Sequence, residues 1–187
     1  MKVRHSDSLI VIWRVAEFEA RESRASLIEP THLLLALCKS VDLDLPRLVT
    51  KDAPDRDEVL EELLREVRRL RNVFRAAGLD ARAFRRRLRR ISVGNRFSPT
   101  ESERLRRSKA AKHVFDDAEH LAAMSDRMVF PVHLFYALTL ARDDKRDALM
   151  VELGVDPKRL QQVAKREVLF QQNGGVVQTD KPRTHFN

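Results

Sequence analysis

The chain has 187 residues, of which 43% are hydrophobic, so it is long enough to bury the core of one ordinary domain. Its formal net charge is +8, from 36 basic and 28 acidic residues, which permits attraction to nucleic acid or to acidic partners without demonstrating either. Only five glycines stand among long runs of Leu, Ala, Arg and Glu, which argues against a turn-rich β architecture, and we expect an all-α protein.

Neither a disulfide nor a membrane segment is expected. The single cysteine, Cys38, lies in an apolar helical run, which indicates a buried side chain rather than a nucleophile. The apolar run at residues 9–13 is interrupted by Arg14 and is too short for a signal sequence or a membrane span. We therefore predict a cytoplasmic protein without a membrane partner.

The first half of the chain contains start and stop signals for four helices around a polar loop at residues 40–57. Proline suits the first turn of a helix because that position needs no backbone N–H, and glycine is a typical helix stop. The predicted helices run from Ser6 or Asp7 to before Ile28, from Pro30 to about Lys39, from about Asp55 to Gly78, and from Asp80 to about Arg90.

The second half contains signals for four more helices. The sequence Ser98-Pro99-Thr100-Glu101 has the spacing of a capping box, so we predict a fifth helix from there to about Met124. The remaining signals are Pro131 for a sixth helix, Asp143 or Asp144 to Gly154 for a seventh, and Asp156-Pro157 to about Phe170 for an eighth. Residues 171–187 lack periodicity and are expected to form a flexible tail.

One stretch of the chain occurs twice. Residues 30–37 read PTHLLLAL and residues 131–138 read PVHLFYAL, so five of eight positions are identical. A Gly-x-Asp sequence follows the third helix of each half, as Gly78-Leu79-Asp80 and as Gly154-Val155-Asp156. The chain is therefore predicted to use one four-helix unit twice.

These motifs are similar to those of the N-terminal repeat domain of Clp AAA+ unfoldases, the ClpA, ClpB and ClpC type. The matching segments are Ala16 with Ala20, Ile28 with residues 30–37, Phe97-Ser98-Pro99, residues 131–138, and residues 149–160 around Leu153-Gly154-Val155-Asp156. The resemblance covers roughly residues 6–165 and implies an all-α, pseudo-twofold duplicated four-helix repeat of about eight helices. The implied domain spans residues 1–170, with a first repeat at 6–91 carrying an insertion at 40–65, a second repeat at 97–170, and a tail at 171–187.

The chain departs from the Clp pattern in two places. The interval from motif histidine to stop glycine is 46 residues in the first copy and 21 in the second, so the first repeat carries about 25 extra residues. Family members commonly have a glutamate directly before each motif histidine, and in the ClpC type these acids help to bind phosphoarginine. Thr31 and Val132 occupy those positions here. Because a carboxylate is the group that pairs with a guanidinium, their presence argues against phosphoarginine binding.

No enzymatic motif is present. The sequence has no Gly-x-x-x-x-Gly-Lys-Ser/Thr loop, no Gly-x-Ser-x-Gly turn and no His-Glu-x-x-His zinc site, so we predict neither catalysis nor a cofactor. His113, Asp117 and His120 share a helix face at a spacing that suits Zn²⁺ or Ni²⁺, but no fourth ligand is evident, and we predict no metal site. The motif histidines His32 and His133 are interpreted as packing or capping residues.

An arginine run is the strongest charge feature of the chain. Six arginines lie within nine residues, Arg82, Arg85, Arg86, Arg87, Arg89 and Arg90, and five more precede them on the third helix. We interpret them mainly as a solvated helix face that nearby acids partly neutralise. The same cluster has the chemistry to bind phosphate groups or an acidic protein.

The function predicted from these observations is a non-catalytic protein–protein interaction module. It resembles the N-domain with which Clp chaperones dock substrates or adaptors, and a Clp-type unfoldase or protease is a candidate partner alongside client proteins. The alternative is a basic nucleic-acid-associated protein that uses the face from Arg65 to Arg90. The residues predicted to contact the partner are Thr31, Val132, Arg82, Arg85, Arg86 and Arg89.

Overall fold

The computed structural model describes residues 3–47, 56–91, 105–124 and 128–172. Within these ranges the chain forms eight α-helices, four two-residue strands and one 3₁₀ turn at Leu45–Arg47. The helices are α1 (Asp7–Glu22), α2 (Pro30–Ser40), α3 (Arg56–Ala77), α4 (Ala81–Ile91), α5 (Lys109–Ala123), α6 (Pro131–Leu140), α7 (Asp144–Glu152) and α8 (Pro157–Gln172). The strands are β1 (Arg4–His5), β2 (Leu27–Ile28), β3 (Arg106–Arg107) and β4 (Met128–Val129).

The local start and stop signals are confirmed at most helix ends. The side chain of Ser6 caps α1 by accepting from the backbone N–H of Leu9, and Asp143 caps α7 by accepting from Arg146 N–H at 3.0 Å. Gly78 and Gly154 follow α3 and α7 with φ of +75° and +77°, a left-handed backbone that glycine adopts without steric cost.

The predicted start of the fifth helix is wrong. The capping-box sequence at residues 98–101 lies outside the described residues, but α5 begins only at Lys109, and Ser108 is its N-cap, accepting from Ala111 N–H at 3.1 Å. Arg106 and Arg107 are extended because they pair with β2 rather than continue a helix. At the other end, α8 continues two residues past the predicted stop, to Gln172, and the rest of the predicted tail lies outside the described ranges.

The helices pack as two equivalent four-helix units in a pseudo-twofold arrangement. Within each unit the first helix packs on the second and the second on the fourth, giving α1–α2–α4 and α5–α6–α8. Between the units, the third helix of each contacts the fourth helix of the other, so α3 meets α8 and α4 meets α7. The strands also pair between the two units: β1 pairs with β4 and β2 with β3, both in parallel. The structure therefore has the predicted all-α, duplicated architecture.

The repeated octapeptide forms the centre of the core. Residues 32–38 on α2 and residues 131–138 on α6 are all buried, which agrees with helices that are surrounded by other elements on every side. The copies differ at the third helix, since α3 has 22 residues and α7 has nine. The additional turns of α3 carry Leu63, Glu66 and Val67, which are buried.

The two motif histidines close the first turns of α2 and α6. The Nδ1 atom of His32 accepts from the backbone N–H of Glu29 at 2.9 Å, and Nδ1 of His133 accepts from Phe130 N–H at 3.1 Å. A helix start leaves such donors without an intrahelical partner, so both histidines act as caps. Burial also lowers the pKa of His32, which favours the neutral ring that this acceptor role needs. The capping interpretation is thus confirmed.

Candidate functional site

The structure places Arg89, one of the predicted contact residues, in an ion pair with a buried acid. Arg89 donates to both carboxylate oxygens of Glu19, with 2.8 Å between Nε and Oε2. Glu19 lies on α1 and is 2% exposed, and Lys39 of α2 supplies a second cation at 3.4 Å. A buried carboxylate is stable only with close cationic partners, so this cluster holds α1, α2 and α4 together.

Two other arginines of the predicted set also pair within the chain. Arg82 and Arg85 approach the carboxylate of Asp42, just beyond α2, at 3.6 and 3.9 Å. Arg86 is exposed, and it makes no ion pair within the part of the chain that the structure describes. The run of arginines therefore serves largely to attach α4 to its neighbours.

The two positions where Clp proteins carry an acid lie in different surroundings. Thr31 is half-buried at the start of α2 and lines a cavity of about 220 Å³, together with Glu29 and Asp143. Val132 lies at the start of α6 and is 2% exposed. A partner can reach the first of these side chains in this structure, whereas neighbouring helices cover the second.

The remaining residues with possible chemistry are either dispersed or inert. His113, Asp117 and His120 are exposed on the outer face of α5, and among the described residues no group of three or more His, Cys, Asp or Glu side chains could hold a metal ion. Cys38 is fully buried, and burial raises the pKa of its thiol to about 12. The predicted buried role of Cys38 is confirmed, because a thiol of this pKa is not a nucleophile near neutral pH.

A more distinctive feature is an open aromatic cavity between α1 and α5, which we call the α1–α5 cleft. Its volume is about 320 Å³, in the range of pockets that bind ligands. The lining residues are His5, Leu9, Ile10, Trp13, Arg107 and Phe115. Ile10 is 46% exposed at its edge, so apolar surface continues from the cavity to the solvent.

The walls of the cleft are held by contacts between ring systems. Trp13 of α1 and Phe115 of α5 meet edge to face, with centroids 5.7 Å apart and planes at 74°. The guanidinium of Arg107 lies over both rings, 4.9 Å from the centroid of Phe115 and 5.6 Å from that of Trp13. At these distances the cation is attracted by both aromatic faces, which fixes its position at the cleft.

The pseudo-twofold relation of the two units explains why these residues converge. Trp13 and Phe115 each stand seven residues after the serine that caps their helix, and His5 and Arg107 each stand one residue before it. Each repeat therefore contributes one aromatic ring and one strand residue to the same cleft. The cleft joins the repeats and belongs to neither alone.

The charges at the cleft are paired unequally. His5 Nε2 lies 3.1 Å from the Glu119 carboxylate, and its ring is 6.1 Å from the ring of Phe115. Arg107, in contrast, forms no ion pair with any acid of the residues described. The cleft therefore combines apolar rings with one cation, Arg107, that has no partner acid among the described residues.

A buried carboxyl lies behind the first turn of α1. Glu66 of α3 is 3% exposed and accepts from the hydroxyl of Ser6 at 2.8 Å and from that of Ser8. Burial is the main cause that raises the pKa of Glu66 to about 7, and Glu62, one turn away, contributes to the rise. Ser6 and Ser8 lie in the short segment between His5 and Leu9, two residues that line the cleft. By holding this segment, Glu66 supports one wall of the cleft from the protein interior.

Residue patterns alone do not identify the α1–α5 cleft, although the sequence contains a signal for it. The spacing of Leu9, Trp13, Ala16 and Ala20 predicts that Trp13 lies on the buried face of the first helix, and the structure leaves it half-buried against a ring 102 positions away. The signal that could have found it is the equal spacing of Trp13 and Phe115 from their capping serines. The misplaced start of the fifth helix concealed that spacing.

The fold and the cleft define a class of protein: an all-helical domain of two four-helix repeats with an aromatic cleft between their first helices. Three solved structures share this fold. The N-terminal domain of Hsp104 from Candida albicans matches with a TM-score of 0.58 and 18% identity, covering 91% of this chain and 92% of that one. The N-terminal domain of the caseinolytic protease associated chaperone ClpD from Arabidopsis thaliana matches with a TM-score of 0.59 and 17% identity, and the match covers 89% of this chain and 95% of that one. A structure from investigations of a malarial protein secretion system matches with a TM-score of 0.61 and 16% identity, and the match covers 89% of this chain and 96% of that one.

The chain therefore has the fold of the Clp and Hsp104 N-terminal domain, as its motifs predicted. No protein-family model and no curated protein matches the sequence. At identities of 16–18% the likeness is one of fold. Within the described residues, no helix is long and apolar enough to cross a membrane.

Proposed function

We propose that this protein is a non-catalytic docking module that binds segments of other proteins in the α1–α5 cleft. The observation that carries the proposal is the open cleft itself, with the rings of Trp13 and Phe115 and the exposed Ile10. Phe115 is 3% exposed, so the accessible apolar surface is that of the half-buried Trp13 and of Ile10. Apolar surface that remains accessible between packed helices is typical of sites that receive a side chain from a partner. No constellation for acid–base or nucleophilic catalysis accompanies it among the described residues.

The similarity of fold indicates which kind of partner to propose. Two of the similar structures are N-terminal domains of the chaperones Hsp104 and ClpD. We infer that this protein binds client proteins and acts as an accessory of a Clp-type chaperone or protease.

The alternative, nucleic-acid binding through the arginines of α4, has less support. Arg82, Arg85 and Arg89 pair with acids of the same chain, and such pairs reduce the charge that is available for phosphate groups. This alternative would gain support if the protein bound DNA or RNA at low salt and if substitution of Arg86 and Arg90 abolished that binding.

The docking proposal is tested by the fluorescence of Trp13, which is the single tryptophan of the chain and lies in the cleft. Titration with an unfolded protein that contains no tryptophan, reduced and carboxymethylated ribonuclease A, should change the emission of Trp13 and saturate. Ile10→Ser removes exposed apolar surface at the cleft edge and should weaken binding by about fivefold, on the order of 1 kcal/mol.

Val151→Ser is the matched control, since Val151 is a 64% exposed aliphatic residue on α7, outside the cleft. It should leave the affinity unchanged. Equal weakening by both substitutions, or no response of Trp13 to excess unfolded protein, contradicts docking in this cleft.

A further inference from the structure

We propose that the α1–α5 cleft selects protein segments in which a large apolar side chain is accompanied by a carboxylate, and that Arg107 binds the carboxylate. The inference rests on the proposed docking function and names the class of segment that the cleft takes. It follows from the charges that line the cleft, one step at a time.

The first step is the state of Arg107. Its guanidinium lies on the rings of Phe115 and Trp13 at 4.9 and 5.6 Å, and the side chain is half-buried. Ring faces attract the cation but do not accept the directed hydrogen bonds that its N–H groups can donate. No acid within the described part of the chain pairs with it. Arg107 is therefore held at the cleft with its capacity to bind a carboxylate unused.

The second step is the contrast with His5, the equivalent residue of the first repeat. His5 pairs with Glu119 of α5 at 3.1 Å, so this acid is already engaged with the opposite wall of the cleft. The first repeat therefore places beside the rings a histidine that is already paired, and the second an arginine with no acid partner among the described residues. An entering carboxylate meets Arg107 without having to displace a resident acid.

The third step is the charge of the surrounding surface. The exposed charged residues directly next to lining positions in the sequence are mainly basic: they are Arg4, Arg14 and Arg106, against Asp116. A cleft bordered by one sign of charge attracts ligands of the opposite sign and repels ligands of the same sign. Apolar rings, a fixed guanidinium and a basic border together complement an apolar side chain next to an acid.

The test compares short fluorescein-labelled peptides that differ only at one residue type: Phe-Asp pairs, Phe-Asn pairs and Phe-Lys pairs. Fluorescence anisotropy and the emission of Trp13 report binding to the full chain. A charge-assisted hydrogen bond at a partly exposed site predicts about tenfold tighter binding of the Phe-Asp peptide than of the Phe-Asn peptide, with Phe-Lys weakest. High salt should narrow the difference.

Arg107→Gln should bring the ratio of the Phe-Asp affinity to the Phe-Asn affinity close to one, whatever change in absolute affinity follows from the loss of its contacts with the two rings. Arg106→Gln is the control, because it removes the same charge from the neighbouring, exposed position of β3 and should retain most of the preference. Equal affinity of wild-type protein for Phe-Asp and Phe-Asn peptides, or a preference that survives Arg107→Gln, overturns the inference and leaves the docking function standing. If none of the peptides binds, the docking function and the inference are both contradicted.

Discussion

Helix α4 and the α1–α5 cleft are the two basic surfaces with which this protein could meet a partner, and they use their arginines differently. Four arginines of α4 pair with acids of the same chain and so connect α4 to α1, to the end of α2 and to α7. The fourth is Arg87, which lies 3.0 Å from Glu152. In the cleft, Arg107 lies on two aromatic rings and pairs with no acid of the described residues. The difference shows that most arginines of a dense run can be engaged in ion pairs within the fold. A single arginine held on aromatic rings can still bind an acid of a partner.

The largest effect that we expect comes from Arg89→Ala, which tests whether α4 is a structural element. The substitution leaves Glu19 buried with only Lys39 nearby, at 3.4 Å. Removal of Arg89 leaves the buried Glu19 carboxylate poorly compensated, but Arg89 itself is 46% exposed and its interaction is partly screened by solvent. The free energy of unfolding should therefore fall by about 2–3 kcal/mol. Urea denaturation followed by circular dichroism measures the change.

The matched variant on the same helix is Arg86→Ala, where the arginine is exposed. Its effect on the free energy of unfolding should stay within about 0.5 kcal/mol. Similar stabilities for the two variants would mean that the arginines of α4 are free in solution, and the contrast between α4 and the cleft would then fail.

A smaller effect concerns Glu66, which supports the α1 wall of the cleft. Burial raises the pKa of Glu66 to about 7 from an ordinary value of 4.5, so folding favours its protonated form. The stability that this group contributes is therefore complete below about pH 4.5 and is lost as the pH rises through about 7. Glu66→Gln imitates the protonated form and should exceed wild type in stability by roughly 2 kcal/mol at alkaline pH.

The advantage of Glu66→Gln should shrink as the pH falls, and thermal or urea unfolding of both proteins between mildly acidic and alkaline pH measures it. Titration of the other carboxyl groups is common to both proteins and cancels in the difference. A difference that does not change with pH would show that Glu66 is not the buried, neutral support of the cleft wall that its contacts with Ser6 and Ser8 indicate.

Most of the helices could be predicted from the sequence because their signals are local. Pro30, Pro131, Gly78 and Gly154 act within a turn of where they stand, through a missing N–H or a positive φ. The start of α5 could not be predicted in the same way. Its N-cap, Ser108, follows β3, and the position of β3 depends on pairing with β2, which is almost 80 residues away and only two residues long.

The cleft could not be predicted for a related reason. The apolar stripe of α1 predicts that Trp13 faces other residues, but it does not predict which ones. Its partners, Phe115 and Arg107, come from the second repeat, so their position depends on how the two repeats pack. The arginines of α4 illustrate the converse: their number was evident, but their pairing with Asp42 and Glu19 depends on the tertiary fold.

The most direct test of the contrast between the two surfaces is site-specific photo-crosslinking to an unfolded protein. One variant carries benzoylphenylalanine in place of Ile10, at the edge of the cleft, and another carries it in place of Arg86, on α4. Both are irradiated with reduced and carboxymethylated α-lactalbumin. We predict a crosslink from position 10 that an excess of the Phe-Asp peptide suppresses, and little from position 86. A crosslink from position 86 with none from position 10 would contradict the account.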